Sequence, residues 1–201
     1  MKSNLLKRYA GVYMKEATMA TNDPPEHVTL LREFANTVDV SEGSDLLSDV
    51  SGLTGWLRDQ GLLGRRTPAT DADLQLAVRL RTGLRERMTA NGDGSGAGSK
   101  QLDQATAQIP LRLSFTGDVP RLVPEGTAGQ AALGQVLVAV AEAVADQTWQ
   151  RLKICRADDC QWAYFDASKN RSKTWCAMGV CGNREKTRNY RARRRAVTEV
   201  G

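Results

Sequence analysis

The chain has 201 residues, enough for one hydrophobic core and a small appendage, and its net charge of +5 is unevenly spread. Residues 151–201 hold 13 Lys/Arg against 5 Asp/Glu, so a basic C-terminal segment of +8 follows a body of −3, the asymmetry of a chain that meets a polyanion at one end. No run of 18 apolar residues occurs, because "AALGQVLVAVAEAVA" is interrupted by Gln135 and Glu142, and no apolar segment precedes a small-residue cleavage site; neither a membrane span nor a secretory signal is expected, and the pattern predicts a cytoplasmic protein with reduced thiols.

Residues 1–19 place Leu5, Leu6, Tyr9, Val12 and Tyr13 at helical spacing opposite Lys/Arg. A membrane-surface or partner helix would show this pattern, but the segment is read as a leader, either a non-native start or disordered, with Met19 opening the protein proper.

Residues 20–150 read as a helical body. Leu30, Leu31, Phe34 and Val38 line one face of a helix within Glu26–Val40. A second helix covers "LLSDVSGLTGWLRDQGLL", with Ser48 or Ser51 as N-cap, Leu53, Trp56 and Leu57 inward and Gly61 at its end. Thr70 and Asp73 have capping-box spacing and open a third helix through Leu74, Ala77, Leu80, Leu84 and Met88. That helix is expected to stop at "NGDGSGAGS", residues 91–99, a mobile loop with nothing to bury.

Leu111, Leu113 and Phe115 alternate with polar neighbours, and Thr116-Gly117-Asp118 supplies a turn, which predicts a short β-hairpin; Pro120 and Pro124 confine its second strand to an edge. From about Thr127 to Trp149 a helix carrying Leu133, Val136, Leu137, Val140 and Val144 is the candidate central helix of the core.

All four cysteines, Cys155, Cys160, Cys176 and Cys181, fall within 27 residues as two C-x4-C pairs. Two close pairs can each wrap one edge of a tetrahedral ion, which favours one structural zinc. Two disulfides, a thiol sensor, an iron–sulfur cluster and four inert thiols are the competing readings, and x4 gaps are less common at zinc than x2. His27, the only histidine, lies far from the cluster and reads as a surface or helix-start residue. Trp162, Tyr164, Phe165 and Trp175 interleave with the cysteines and serve better as a miniature core over the metal than as base-stacking platforms. Arg171 and Lys173 fall on the intervening loop as candidate nucleic-acid contacts.

After Cys181, Gly182 permits a turn and Asn183 is a candidate N-cap, so a helix should begin at Arg184. At ~100° per residue, Arg184, Arg188, Arg191 and Arg195 lie within ~60° of one another. Only Glu185 is acidic between Asn183 and Val197, so this stripe lacks local counter-charge and invites a polyanion, with duplex DNA the best match.

"CRADDCQWAYFDASKNRSKTWCAMGVCGNR" resembles the CGNR zinc-finger family, whose motif is Cys181-Gly182-Asn183-Arg184; Trp175, Met178, Asp166 and the basic tail also fit. "LREFANTVD" with "DLLSDVSGLTGWLRDQGLL" is similar to the ABATE domain that precedes this finger in bacterial proteins described as stress-induced transcriptional regulators. The resemblance spans nearly all of residues 25–196 and leaves the leader outside. It implies a finger of residues 151–197, a zinc held by the four cysteines, and a role in transcription.

Asn36, Thr37 and Asp39 form a polar group in the body that could line an effector pocket, or could simply terminate a helix. The fold expected is therefore mainly α with a small β-hairpin: a helical body, then a four-cysteine zinc module ending in a basic helix. The function expected is zinc-dependent DNA binding for transcription regulation, with the body sensing an unknown small molecule. RNA binding through exposed aromatics and an interaction protein, such as a homodimer braced by the zinc module, are the alternatives. An enzyme is not expected, because no Cys/His dyad, Ser/His/Asp set or phosphate loop is present and four sulfur ligands leave zinc no open position.

Overall fold

A computed structural model describes residues 24–198, leaving aside the side chains of residues 189 and 192–198. The leader of residues 1–19 and the side chain of Arg195 lie outside the described residues. The elements run α1 (Glu26–Ala35), β1 (Val38–Asp39), β2 (Ser44–Asp45), α2 (Val50–Asp59), α3 (Asp71–Asp93), α4 (Lys100–Thr106), β3 (Leu111–Ser114), β4 (Arg121–Pro124), α5 (Ala128–Ala145), β5 (Leu152–Ile154), β6 (Ala163–Phe165) and α6 (Asn183–Thr198). The strands form three separate antiparallel pairs, β1–β2, β3–β4 and β5–β6.

Local chemistry sets the helix boundaries. α1 is shorter than its apolar pattern suggests, because Thr37 Oγ1 donates to Phe34 O at 2.9 Å and ends it before β1. α2 starts with neither predicted cap: Asp49, not Ser48 or Ser51, accepts from Gly52 N at 2.8 Å. Gly61, with φ of +67°, lets the chain turn back so that Leu62 N reaches Leu57 O. The capping box of Thr70 and Asp73 is present at the start of α3, and a second, Thr127 with Gln130, opens α5.

α3 runs past its expected end, as far as Asp93, with Gly94 in the left-handed conformation at its C-terminus. The extension has a structural use: Asn91 Nδ2 donates to Trp149 O at 2.9 Å and to Leu152 O at 3.0 Å. Ser99, at the far end of the glycine-rich segment, is buried and caps α4, a helix that the sequence pattern does not reveal. α4 reaches α3 closely because residue 83 is glycine, where a Cβ would lie 2.5 Å from Leu102 N.

The core is formed by α1, α2, α3 and α5, around Leu31, Phe34, Leu53, Leu57, Leu80, Leu84, Leu133 and Val136, all fully buried. Phe34 and Trp56 meet at 5.2 Å between ring centroids, tilted by 49°, a geometry worth about 0.5–1.5 kcal/mol beyond the area buried. α5 is long and apolar enough to cross a membrane by length and hydropathy, yet half of it is buried within this core. The hairpin β3–β4 forms as expected, with Leu113 opposite Leu122.

The third strand pair is unexpected. β5 and β6 flank the first two cysteines, and Leu152, Ile154 and Ala163 belong to the core of the body. The cysteine module is thus built on two strands that complete the helical core.

Candidate metal centre and arginine groove

Two tight turns carry the four cysteines. In the first, Cys155 N donates to Trp162 O at 2.9 Å as the chain leaves β5, and Cys160 N and Gln161 N both donate to Ala157 O, at 2.9 and 3.1 Å. In the second, a five-residue π-type turn, Met178–Gly182, brings Cys181 back towards Cys176 and delivers the chain into α6. Arg156 N donates to Thr174 O at 3.3 Å, tying the approach to the second turn against the first.

All four Sγ atoms lie within 4.8 Å of one another, with Cys160–Cys176 and Cys176–Cys181 both at 3.7 Å. A tetrahedral zinc with Zn–S bonds of ~2.3 Å requires S···S separations of about 3.8 Å. Separations of 3.7 Å are far beyond the ~2.05 Å of an S–S bond, and no disulfide joins the four cysteines. The set fits one structural zinc: four soft sulfur donors at tetrahedral spacing, which a bound ion would cross-link. Tyr164 and Ala157 are buried with Cys155 and Cys181, while Trp175 packs against the same cluster and Trp162 stays 36% exposed. The miniature core over the metal site therefore consists mainly of Tyr164 and Trp175.

Each residue of the Cys181-Gly182-Asn183-Arg184 motif has a local reason. Cys181 supplies a sulfur. Gly182 leaves room for Met178, whose Sδ would lie 2.4 Å from an added Cβ. Asn183 is itself helical, and its Nδ2 donates to Gly179 O at 3.1 Å, so it closes the turn and is not the side-chain N-cap expected from sequence. Arg184 Nη2 lies 3.4 Å from Cys181 Sγ and 3.3 Å from Asp159 Oδ1.

Asp159 was not visible as a partner in the sequence. It projects from the first cysteine turn and meets Arg184 and also Arg188, the latter at 3.5 Å, while Arg188 pairs with Glu185 at 2.9 Å. Two of the arginines in the stripe thus have acidic neighbours, contrary to the expectation of a stripe with almost none. Arg191 makes no ion pair among the described residues. Gly179, Val180, Asn183, Arg184, Thr187, Arg188 and Arg191 line one open groove.

The loop from β6 to Trp175 is organised from beneath. Asp166, fully buried, accepts from Lys153 Nζ at 2.8 Å, from Lys173 N at 2.9 Å, and from the backbone and hydroxyl of Ser168 at 3.0 and 2.5 Å. Burial opposes its charge, but the bonds from Lys153 and Ser168 prevail and hold its pKa down at about 2. Arg171 is exposed, with a φ of +51° and its guanidinium 3.3 Å from Gln150 Oε1. Lys173 lies 5.4 Å over the Tyr164 ring, and its carbonyl accepts from the Tyr164 hydroxyl at 2.6 Å. Burial, then the Asp166 carboxylate, push that hydroxyl well above its usual range, so it remains a donor.

Asn36, Thr37 and Asp39 all spend their side chains inside the chain. Asn36 exchanges two hydrogen bonds with the backbone of Ala163, and Thr37 accepts from Arg81 at 3.0 Å while donating to Phe34 O. Asp39 Oδ1 accepts from Ser41 N, Ser41 Oγ and Glu42 N. Of the three, only Thr37 closes α1 through its side chain; Asn36 is bonded to β6 and Asp39 to the turn that follows β1. His27 sits at the start of α1, 2.9 Å from Asp146.

The architecture defines a helical protein with an appended four-cysteine metal-binding knuckle. The profile of the ABATE family, described as "Putative stress-induced transcription regulator", matches residues 29–147, and that of the CGNR zinc finger matches residues 151–194. The chain belongs to the ABATE family and carries a CGNR zinc finger directly after that domain. No curated protein matches it.

Proposed function

We propose that the protein is a DNA-binding transcription regulator, cytoplasmic and bacterial, in which the zinc-held turn fixes the start of α6 so that an arginine face meets the phosphates of a duplex. The observation that carries this reading is the groove shared by Arg184, Arg188 and Arg191, rooted in the metal-binding turn itself. Pre-organisation of the helix lowers the ordering cost of binding. Arg171 supplies a further contact from the loop, and Lys173 a weaker one because its ammonium already rests on Tyr164. Four sulfur ligands leave a bound zinc no open position, which supports a regulator and not an enzyme.

Effector sensing by the body remains part of the proposal in altered form. With Asn36, Thr37 and Asp39 internally bonded, a signal would act by loosening or tightening the joint at Ala163, and not by direct contact with all three side chains. RNA binding is the second reading, favoured by the exposed face of Trp162, on which a base could stack. Titration of the zinc-loaded chain against duplex DNA, single-stranded DNA and RNA at several salt concentrations separates the readings; the absence of salt-dependent binding to any of the three rejects both.

A further inference from the structure

Arg184 follows Cys181 by three residues, one helical turn, and long side chains on a helix point back towards its N-terminus. Its guanidinium consequently folds over the ligand it follows: Nη2 lies 3.4 Å from Cys181 Sγ, within hydrogen-bonding reach of sulfur. The same Nη2 lies 3.3 Å from Oδ1 of Asp159, the residue before Cys160 in the other turn. One cation therefore spans both cysteine turns. Arg188 and Arg191 lie further along the groove, and Arg188 turns to Asp159 and Glu185 instead of a sulfur.

A divalent ion held by four thiolates carries a net charge of roughly −2. Removing that charge from water is costly unless fixed donors face the sulfurs, and residues around metal ligands tune affinity by about 10–100-fold. We propose that Arg184 is a constituent of the metal centre: it offsets the excess charge on the sulfurs and locks the two turns together through Asp159, in place of serving chiefly as a phosphate contact. The inference concerns the zinc site and does not rest on DNA binding.

The test uses the full chain and competition against a chromophoric chelator for zinc, comparing wild type with Arg184→Gln, Arg184→Lys and Arg191→Gln. Arg184→Gln should weaken zinc binding by about 10–100-fold, Arg184→Lys should recover part of the loss, and Arg191→Gln should leave affinity unchanged. With cobalt in place of zinc, the sulfur-to-metal charge-transfer band should move to lower energy in Arg184→Gln, because a sulfur that loses a donor holds its lone pairs less tightly. Wild-type zinc affinity in Arg184→Gln with an unmoved cobalt band overturns the proposal. So does an affinity loss that Arg184→Lys fails to relieve and Arg191→Gln reproduces, which would assign the effect to the helix as a whole. Failure of the wild-type chain to bind zinc at all would instead reject the metal site itself.

Discussion

The side chain of Asn36 pairs with the backbone of Ala163 as a strand would: Asn36 Nδ2 donates to Ala163 O at 2.9 Å, and Ala163 N donates to Asn36 Oδ1 at 2.7 Å. The two residues are 127 positions apart, and the contact joins the end of α1 to the edge of β6. Arg85 reinforces it, donating to Ala35 O and to Gln161 O, both at 2.9 Å. Helix and finger are thereby stitched through the backbone N–H and C=O of a fully buried residue 163, a position that excludes proline because its N–H is a donor.

Replacing Asn36 by Ala removes both bonds and leaves the buried amide of Ala163 without its partner. A loss of about 1–3 kcal/mol is expected in urea denaturation, with zinc content unchanged. An unaltered midpoint would mean that water takes over the bonds and that the joint contributes no stability.

Loss of metal should be felt beyond the finger. Replacing Cys176 by Ser should release zinc and unravel the two turns. Because Leu152, Ile154 and Ala163 lie in the core of the body, the melting temperature of the helical signal should fall as well. Circular dichroism melts with and without a chelator would show it, and an unchanged helical transition would contradict the shared core.

Asp166 and Lys153 form a buried pair, so Asp166→Asn leaves an ammonium in the interior without its counter-charge. A cost of about 3–5 kcal/mol is expected. In the wild type the carboxylate has a pKa of about 2 when folded against ~3.9 when unfolded. Its stabilisation is therefore complete above about pH 4 and disappears as pH falls towards 2. Acid unfolding of Asp166→Asn should lack that part of the pH dependence.

The arginine groove predicts a salt effect. Arg191→Ala should lower the log–log slope of duplex affinity against salt by about 0.9, and Arg188→Ala with Arg191→Ala together by at most about 1.8. Arg188 should contribute less than Arg191, since Asp159 and Glu185 already share its charge. A loss confined to one DNA sequence would show that these side chains read bases and not phosphates.

Much of the body was legible because its signals are local. The capping box at Thr70, the turn at Gly61 and the alternation of Leu111 and Leu113 each depend on residues within a few positions. The four cysteines were legible for the same reason, with spacing alone limiting the chemistry. What could not be read are relations between distant segments. β5 and β6 are three residues each, too short for a period to emerge, and α4 carries only one buried residue. Asp159 gains its partners only when the second turn places the guanidinium groups of Arg184 and Arg188 beside it, a relation that spans the gap between the two cysteine pairs. For Asn36 the sequence leaves open a pocket or the end of a helix, and its bonds to Ala163 are neither, because a partner 127 positions away leaves no local signal.

The boundary between the two family segments, at residues 147–151, coincides with the place where the core is being closed, by Trp149, Leu152 and Ile154. Genetic modularity and folding units therefore do not share an edge here. A finger cut out at that boundary would carry away part of the floor of the helical domain and present it to water, and a body left behind would have an open wound of the same shape. Chimeras between relatives should work only when the crossover keeps the β5–β6 pair with the α1 and α3 surfaces it was fitted to.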